Sequence, residues 1–189
     1  RCARVGCLQG SFAPVRVLWI DEWAAKVGET VHLAGLNNGQ GLYVDKRIPA
    51  SAIEMYSQAG KVGPAYCTGV GKAMMAFLDE SELNKVISKQ AFHKYTEHTI
   101  TSAKALKKEL ATIKKEGISF DRQEHEEKII CISSPILTTN GRVIGGLSIT
   151  SSVDIHSLKS LEKFKPELLE TSQLIGKEAG TWSFPEKNY

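Results

Sequence analysis

Two tight-turn signals constrain this chain more than anything else in it: Asn37-Asn38-Gly39 and Thr139-Asn140-Gly141. Asn-Gly pairs accept the positive φ angles of short hairpins, so the segments on either side must run antiparallel. The first turn joins Thr30–Leu36 to Leu42–Ile48, and the second joins Lys128–Leu137 to Arg142–Thr150. Ile118–Asp121 reads as a further strand, and residues 52–58 as a weak one. The remainder is helical in period. Val15, Leu18, Trp19, Trp23 and Val27 recur three to four apart between Pro14 and Gly28. Asp79 precedes a helix as its N-cap, with Glu82 three residues on. Ala103, Leu106, Leu110 and Ile113 form one stripe after Thr101-Ser102, and Gly117 ends it. A last helix spans about Ser157–Glu178, where Pro166 must kink or restart it. Hairpin-joined strands with separate helices predict an α+β fold, an antiparallel sheet covered by helices.

At 189 residues the chain suits one domain with a sizeable core. The net charge of +3 is too small to argue for nucleic acid. Lysines alternate with glutamates, as at Lys107-Lys108-Glu109 and Lys114-Lys115-Glu116, which is the pattern of solvated helix faces. Cys2, Cys7, Cys67 and Cys131 form no CxxC pair, so reduced thiols and a cytoplasmic protein are expected. No apolar run is long enough for a membrane span and none forms a secretory signal. Residues 1–13 fit no periodic pattern and are expected to be a disordered lead-in or a non-native remnant; residues 183–189 form a tail.

Several motifs carry residue types capable of chemistry. Thr68-Gly69-Val70-Gly71-Lys72-Ala73 looks like a phosphate loop but has Tyr66 and Ala73 where that motif needs Gly and Ser/Thr. A Gly-rich turn opening a helix still suits a small carboxylate. His93 and His98 lack metal-ligand spacing, so no metal is expected, and no cofactor motif is present. His125, among Glu124, Glu126 and Glu127, reads as a solvated turn or as a group titrating near neutrality. Cys67 and Cys131 read as small core residues. Ser148 and Thr150 share one face of their strand and must find partners if buried; they are solvent-exposed, backbone-bonded, or the polar floor of a pocket. Asp121 alone is a turn former.

Taken in order, three stretches resemble the effector-binding domain of the IclR family. They are Gly63-Pro64-Ala65-Tyr66-Cys67-Thr68-Gly69-Val70-Gly71-Lys72-Ala73; Gly117–Asp121 with Glu124, Glu127 and Ile130-Cys131-Ile132; and Pro135–Leu137 through Asn140-Gly141 to Gly146-Leu147-Ser148-Ile149. Glu29–Ala34 is similar to the family's first strand, and the resemblance runs from about residue 14 to 180. The effector-binding domain is therefore placed at residues 14–182. Within the family, the chain resembles enterobacterial regulators of sugar and sugar-acid catabolism.

The resemblance implies a GAF-like, profilin-like fold, with a curved antiparallel sheet flanked by helices. Its ligand contacts carry over to the backbone N–H groups of Gly69 and Val70, to Asp121, to Cys131, to the hydroxyls of Ser148 and Thr150, and to an apolar wall including Met55 with Tyr56 nearby. Thr150 replaces a serine often found there, and Val70 an alanine of the glyoxylate-responsive member, which puts glyoxylate itself in doubt. A repressor's sensing and oligomerising domain is implied. Its partners are a small carboxylate or sugar-acid effector and further copies of itself, as homodimer or homotetramer. DNA is met only through a winged helix-turn-helix domain, which nothing before residue 14 could build. Two other readings stay open: a thiol enzyme on the same fold using Cys67 and Cys131, and a module that only dimerises.

Overall fold

A computed structural model of the chain describes residues 20–49, 55 and 57–179. The lead-in, the first turns of the Pro14–Gly28 helix, Tyr56, most of the weak strand at 52–58 and the tail at 183–189 lie outside the described residues. The described elements are α1 (Asp21–Val27), β1 (Thr30–Asn37), β2 (Gln40–Arg47), β3 (Val62–Gly63), α2 (Gly69–Met75), α3 (Glu80–Ile87), α4 (Ala103–Glu116), β4 (Ser119–Arg122), β5 (Ile129–Leu137), β6 (Val143–Ser152), α5 (Leu158–Leu161) and α6 (Lys165–Glu178).

Each boundary has a local cause. Gly28 ends α1 in the left-handed region, at φ 71°. Asn38 and Gly39 take φ 52° and 80°, the two-residue turn that fixes Asn37 opposite Gln40. Asp79 accepts the backbone N–H of Glu82, and Ser102 that of Ala105, so both helices start on side-chain caps. The final helical stretch breaks as Pro166 requires: a short 3-10 turn, Glu162–Phe164, separates α5 from α6, and the proline sits in the first turn of α6.

All six strands form one antiparallel sheet in the order β3-β2-β1-β6-β5-β4. It curls, and each face carries its own core. On one side Val31, Leu33, Ile130, Ile132, Leu147 and Ile149 meet α1, α5 and α6. On the other, Tyr43, Val70, Met74, Leu106 and Leu110 form a second core with α2, α3 and α4. Alternation along each strand therefore decides which side chains reach the second face, and that face holds the polar residues discussed below.

The set of strands differs from the sequence reading in one respect. The third strand in the chain, at one edge of the sheet, is Val62–Gly63, inside the Gly-rich connection, and residues 57 and 58 belong to no strand. Glycine at position 63 hides strand character, because nothing there shows the period of two.

Candidate functional site

Cross-strand register sets two polar rows side by side on the face beneath α2. In the first, Asp121 of β4 stands opposite Cys131 of β5, Cys131 opposite Thr150 of β6, and Thr150 opposite Thr30 of β1. In the second, Ser119, Ser133, Ser148 and His32 are paired in the same order. Helix α2 descends directly on these rows. A Cβ at Gly69 would lie 2.4 Å from Cys131 Sγ and 2.7 Å from Ser133 Oγ, so only glycine allows this approach. Thr68, the N-cap, turns its hydroxyl away to donate to the Pro64 carbonyl at 3.0 Å, and no side chain caps the first turn of α2.

Between the rows, the helix start and the loop after β4 lies a cavity of about 40 Å³. Met55, Gly69, Val70, Asp121, Cys131, Ser148 and Thr150 all line it. Every position singled out in the sequence as a contact thus faces one space. The structure adds residues that the sequence reading missed, chiefly His32, Tyr43 and Ser57. Alternation offered one signal for His32: it lies between the buried apolar residues Val31 and Leu33 and must point to the opposite face.

His32 is the centre of the polar lining. Its Nε2 lies 2.8 Å from Ser57 Oγ, and its Nδ1 lies 3.2 Å from Thr150 Oγ1 and 3.3 Å from Ser148 Oγ. Its ring is tilted against Tyr43, with centroids 5.2 Å apart. Burial, helped by the charge of Lys46, depresses His32 to about 3, so the imidazole is neutral at physiological pH. A neutral ring has one donor and one acceptor nitrogen. Ser148 and Thr150 therefore compete for a single position at Nδ1, and one hydroxyl is left to turn toward a ligand.

Asp121 accepts the Glu124 N–H at 2.7 Å, so it does form the turn. It is also buried and faces the cavity. Burial and then the nearby Glu124 carboxylate push its carboxyl up to about 7. His125 corrects the solvated-turn reading: it is half-buried, lines the same cavity, and burial lowers its affinity for a proton. Burial also pushes both thiols up, Cys131 to about 12, so they stay protonated. Cys67 and Cys131 are free and buried.

Behind the cavity sits an ion-pair network. Lys72 is fully buried, bonded to Glu124 and, at 3.3 Å, to Glu109. Arg122 closes the network on Glu109 at 2.7 Å. Burial raises Glu124 despite Lys72; for Glu109, Lys72 and Arg122 outweigh burial and lower it. Lys107 and Lys108 are solvated as the charge pattern implied, but Glu109 turns inward to this network. The lysine of the phosphate-loop lookalike thus has a structural partner rather than a phosphate. Among the described residues, no group of three or more His, Cys, Asp or Glu could hold a metal, and no helix is long and apolar enough to cross a membrane.

With this geometry in hand, comparison with known proteins is specific. Residues 13–177 match the family described as Bacterial transcriptional regulator IclR C-terminal. The chain is 28% identical to the HTH-type transcriptional regulator XynR of Escherichia coli, over 86% of this chain and 64% of that protein. It is 31% identical to the HTH-type transcriptional regulator KdgR of Escherichia coli, over 83% of this chain and 60% of that protein. The chain thus spans less than two thirds of either relative. The crystal structure of the C-terminal domain of Escherichia coli KdgR superposes with a TM-score of 0.77 at 29% identity, covering 92% of this chain and 98% of that one.

Proposed function

From the premise that this chain belongs to the IclR family, as its effector-binding C-terminal domain, we propose that it senses a small carboxylate in the cavity beneath α2. The observation that carries this reading is the convergence of two polar strand rows and the Gly69 helix start on one buried space. The carboxylate meets the N–H groups of Gly69 and Val70. Hydroxyl or carbonyl oxygens meet Ser148, Thr150 and Asp121, while Met55, Val70 and Cys131 supply apolar wall.

The abundance of hydroxyl partners favours a hydroxy- or oxo-acid, which fits a sugar-derived effector. A volume of about 40 Å³ has room for roughly three waters. A compact acid fits the space as it stands; a longer sugar acid must extend from it or move a wall.

The ligand acts by preferring one arrangement of subunits over another and so shifting their equilibrium. In the whole regulator the shift changes the spacing of DNA-reading helices and hence operator affinity. Homodimer or homotetramer assembly is part of this reading, as is repression. Chemistry on a substrate is not: both thiols are held protonated, and the relatives are regulators by name.

A thermal-shift panel of hydroxy- and oxo-carboxylates tests the reading. A ligand at 100 times its dissociation constant stabilises by about 2.7 kcal/mol. A hit lost in Asp121→Ala and Ser148→Ala supports it. No shift across the panel favours a module that only dimerises.

A further inference from the structure

The charges around the cavity are the reverse of what an anion site ordinarily has. Among the described residues that line it, none is lysine or arginine, while Asp121 and Glu126 both do. Two lysines lie nearby, and both are engaged. Lys46 Nζ donates to the Ser57 carbonyl at 2.8 Å and its charge is drawn to Glu126, and Lys72 is bonded to Glu124 and Glu109. A bare carboxylate arriving here meets neutral donors and the carboxyl of Asp121, in a buried setting that strengthens their mutual repulsion.

We propose that a carboxylate effector binds together with one proton, which is held between the ligand's carboxylate and the carboxyl of Asp121. This rests on the effector-pocket reading above. The balance is simple: ligand anion, Asp121 carboxylate and one proton from solvent give a carboxylic acid–carboxylate pair with a single negative charge. Two carboxylates sharing a site cannot both stay ionised, and a shared proton makes a short, strong bond between them.

The groups facing Asp121 agree with this. From the loop after β4 come Glu124, whose N–H it accepts, and the carboxylate of Glu126. From β5 comes the Cys131 thiol, from the turn before α2 the Cys67 thiol, and from β2 the Tyr43 phenol, all neutral. Helix α2 contributes Lys72, whose charge favours the ionised form but is already shared with Glu124 and Glu109. His125 lines the same cavity, with burial favouring its neutral form. Burial dominates, and Asp121 is near half-protonated at neutral pH. The proton is therefore available at little cost.

The test is calorimetry on this chain with glycerate, pyruvate and gluconate, each beside an uncharged analogue (glycerol, pyruvamide and glucitol). Titrations at pH 6 and pH 8 in buffers of different ionisation enthalpy count the protons. The expected result is binding of an acid with close to no proton uptake at pH 6 and about one at pH 8. Affinity should fall about tenfold for each pH unit above 7. Asp121→Asn keeps the donor without the charge, so its affinity should be independent of pH and match that of the unaltered chain at low pH. Acid binding at pH 8 without proton uptake, or affinity lost in Asp121→Asn at every pH, overturns the proposal while leaving the pocket as an acid site. Binding of only the uncharged analogues also overturns it. Silence from all six compounds overturns it together with the reading it rests on.

Discussion

The backbone N–H of Glu124 donates to Asp121 Oδ1 at 2.7 Å, while the side chain of the same Glu124 grips the buried Lys72. One residue thus fixes the acid that faces the cavity and ties it to the helix that roofs it. The pair lies three residues apart, at the end of β4 and in the loop after it, yet the lysine comes from a different element 52 residues away. Geometry at the proposed site is therefore anchored from behind.

Lys72→Met should be strongly destabilising. It leaves the Glu124 carboxylate buried with only the more distant Arg122, at 3.8 Å, as cation, and breaking such a pair costs about 3–5 kcal/mol. Replacing both partners, as Lys72→Met with Glu124→Leu, should recover much of the loss because no charge is left stranded. Denaturant melts of the single and double variants check this. A double variant no better than Lys72→Met would mean the ion pair is not the cause.

Stability should depend on pH through two opposed groups. His32 is depressed to about 3 in the folded state, so its contribution is present above 6.5 and is lost as pH falls toward 3. Asp121 is raised to about 7, so its contribution is present below 3.8 and is lost as pH rises through 7. Each has a limiting slope of about 1.4 kcal/mol per pH unit, and between about pH 4 and 6.5 they nearly cancel. Relative to the unaltered chain, Asp121→Asn should gain stability as pH rises across that window, and His32→Gln should lose it. Melting curves across pH 4–8 read both slopes, and parallel curves for all three proteins would refute the assignment.

How much of this was legible beforehand follows from where each signal lies in the chain. The hairpins and helix caps are local, and residues such as Asn38, Gly39, Asp79 and Ser102 announced them. The seven positions carried over from the family resemblance line one cavity. His32 did not emerge, because its meaning lies in its pairing with Ser148, 116 residues away. Lys72 read as part of a phosphate-loop lookalike; its partners Glu109 and Glu124 sit on α4 and the loop after β4, which no local pattern connects. Strand β3 is too short to show alternation at all.

Ser148 and Thr150 should behave non-additively. Each hydroxyl alone can satisfy His32 Nδ1, at 3.3 and 3.2 Å, so Ser148→Ala or Thr150→Val should cost little stability. Together they leave a buried ring nitrogen without a partner, at about 1–3 kcal/mol. A double-mutant cycle by chemical denaturation should give a coupling well above zero. Simple additivity would show that the two hydroxyls do not share the imidazole.

Gly69→Ala should lower the melting temperature and disturb the cavity. The added methyl meets Cys131 Sγ and Ser133 Oγ, and the Asp121 backbone lies 3.2 Å away. Overpacking of this kind costs about 1–3 kcal/mol. Adding Cys131→Ala removes the closest clash and should restore part of the loss; no restoration would place the strain elsewhere.

The most direct test is a titration of the acid giving the largest thermal shift into the unaltered chain and into Asp121→Ala, with folding of both confirmed by circular dichroism. If the cavity beneath α2 is the effector site, the unaltered chain binds one acid per chain, and Asp121→Ala, still folded, binds at least tenfold more weakly. Equal affinity in the two proteins would place the effector outside this cavity and contradict the site assignment.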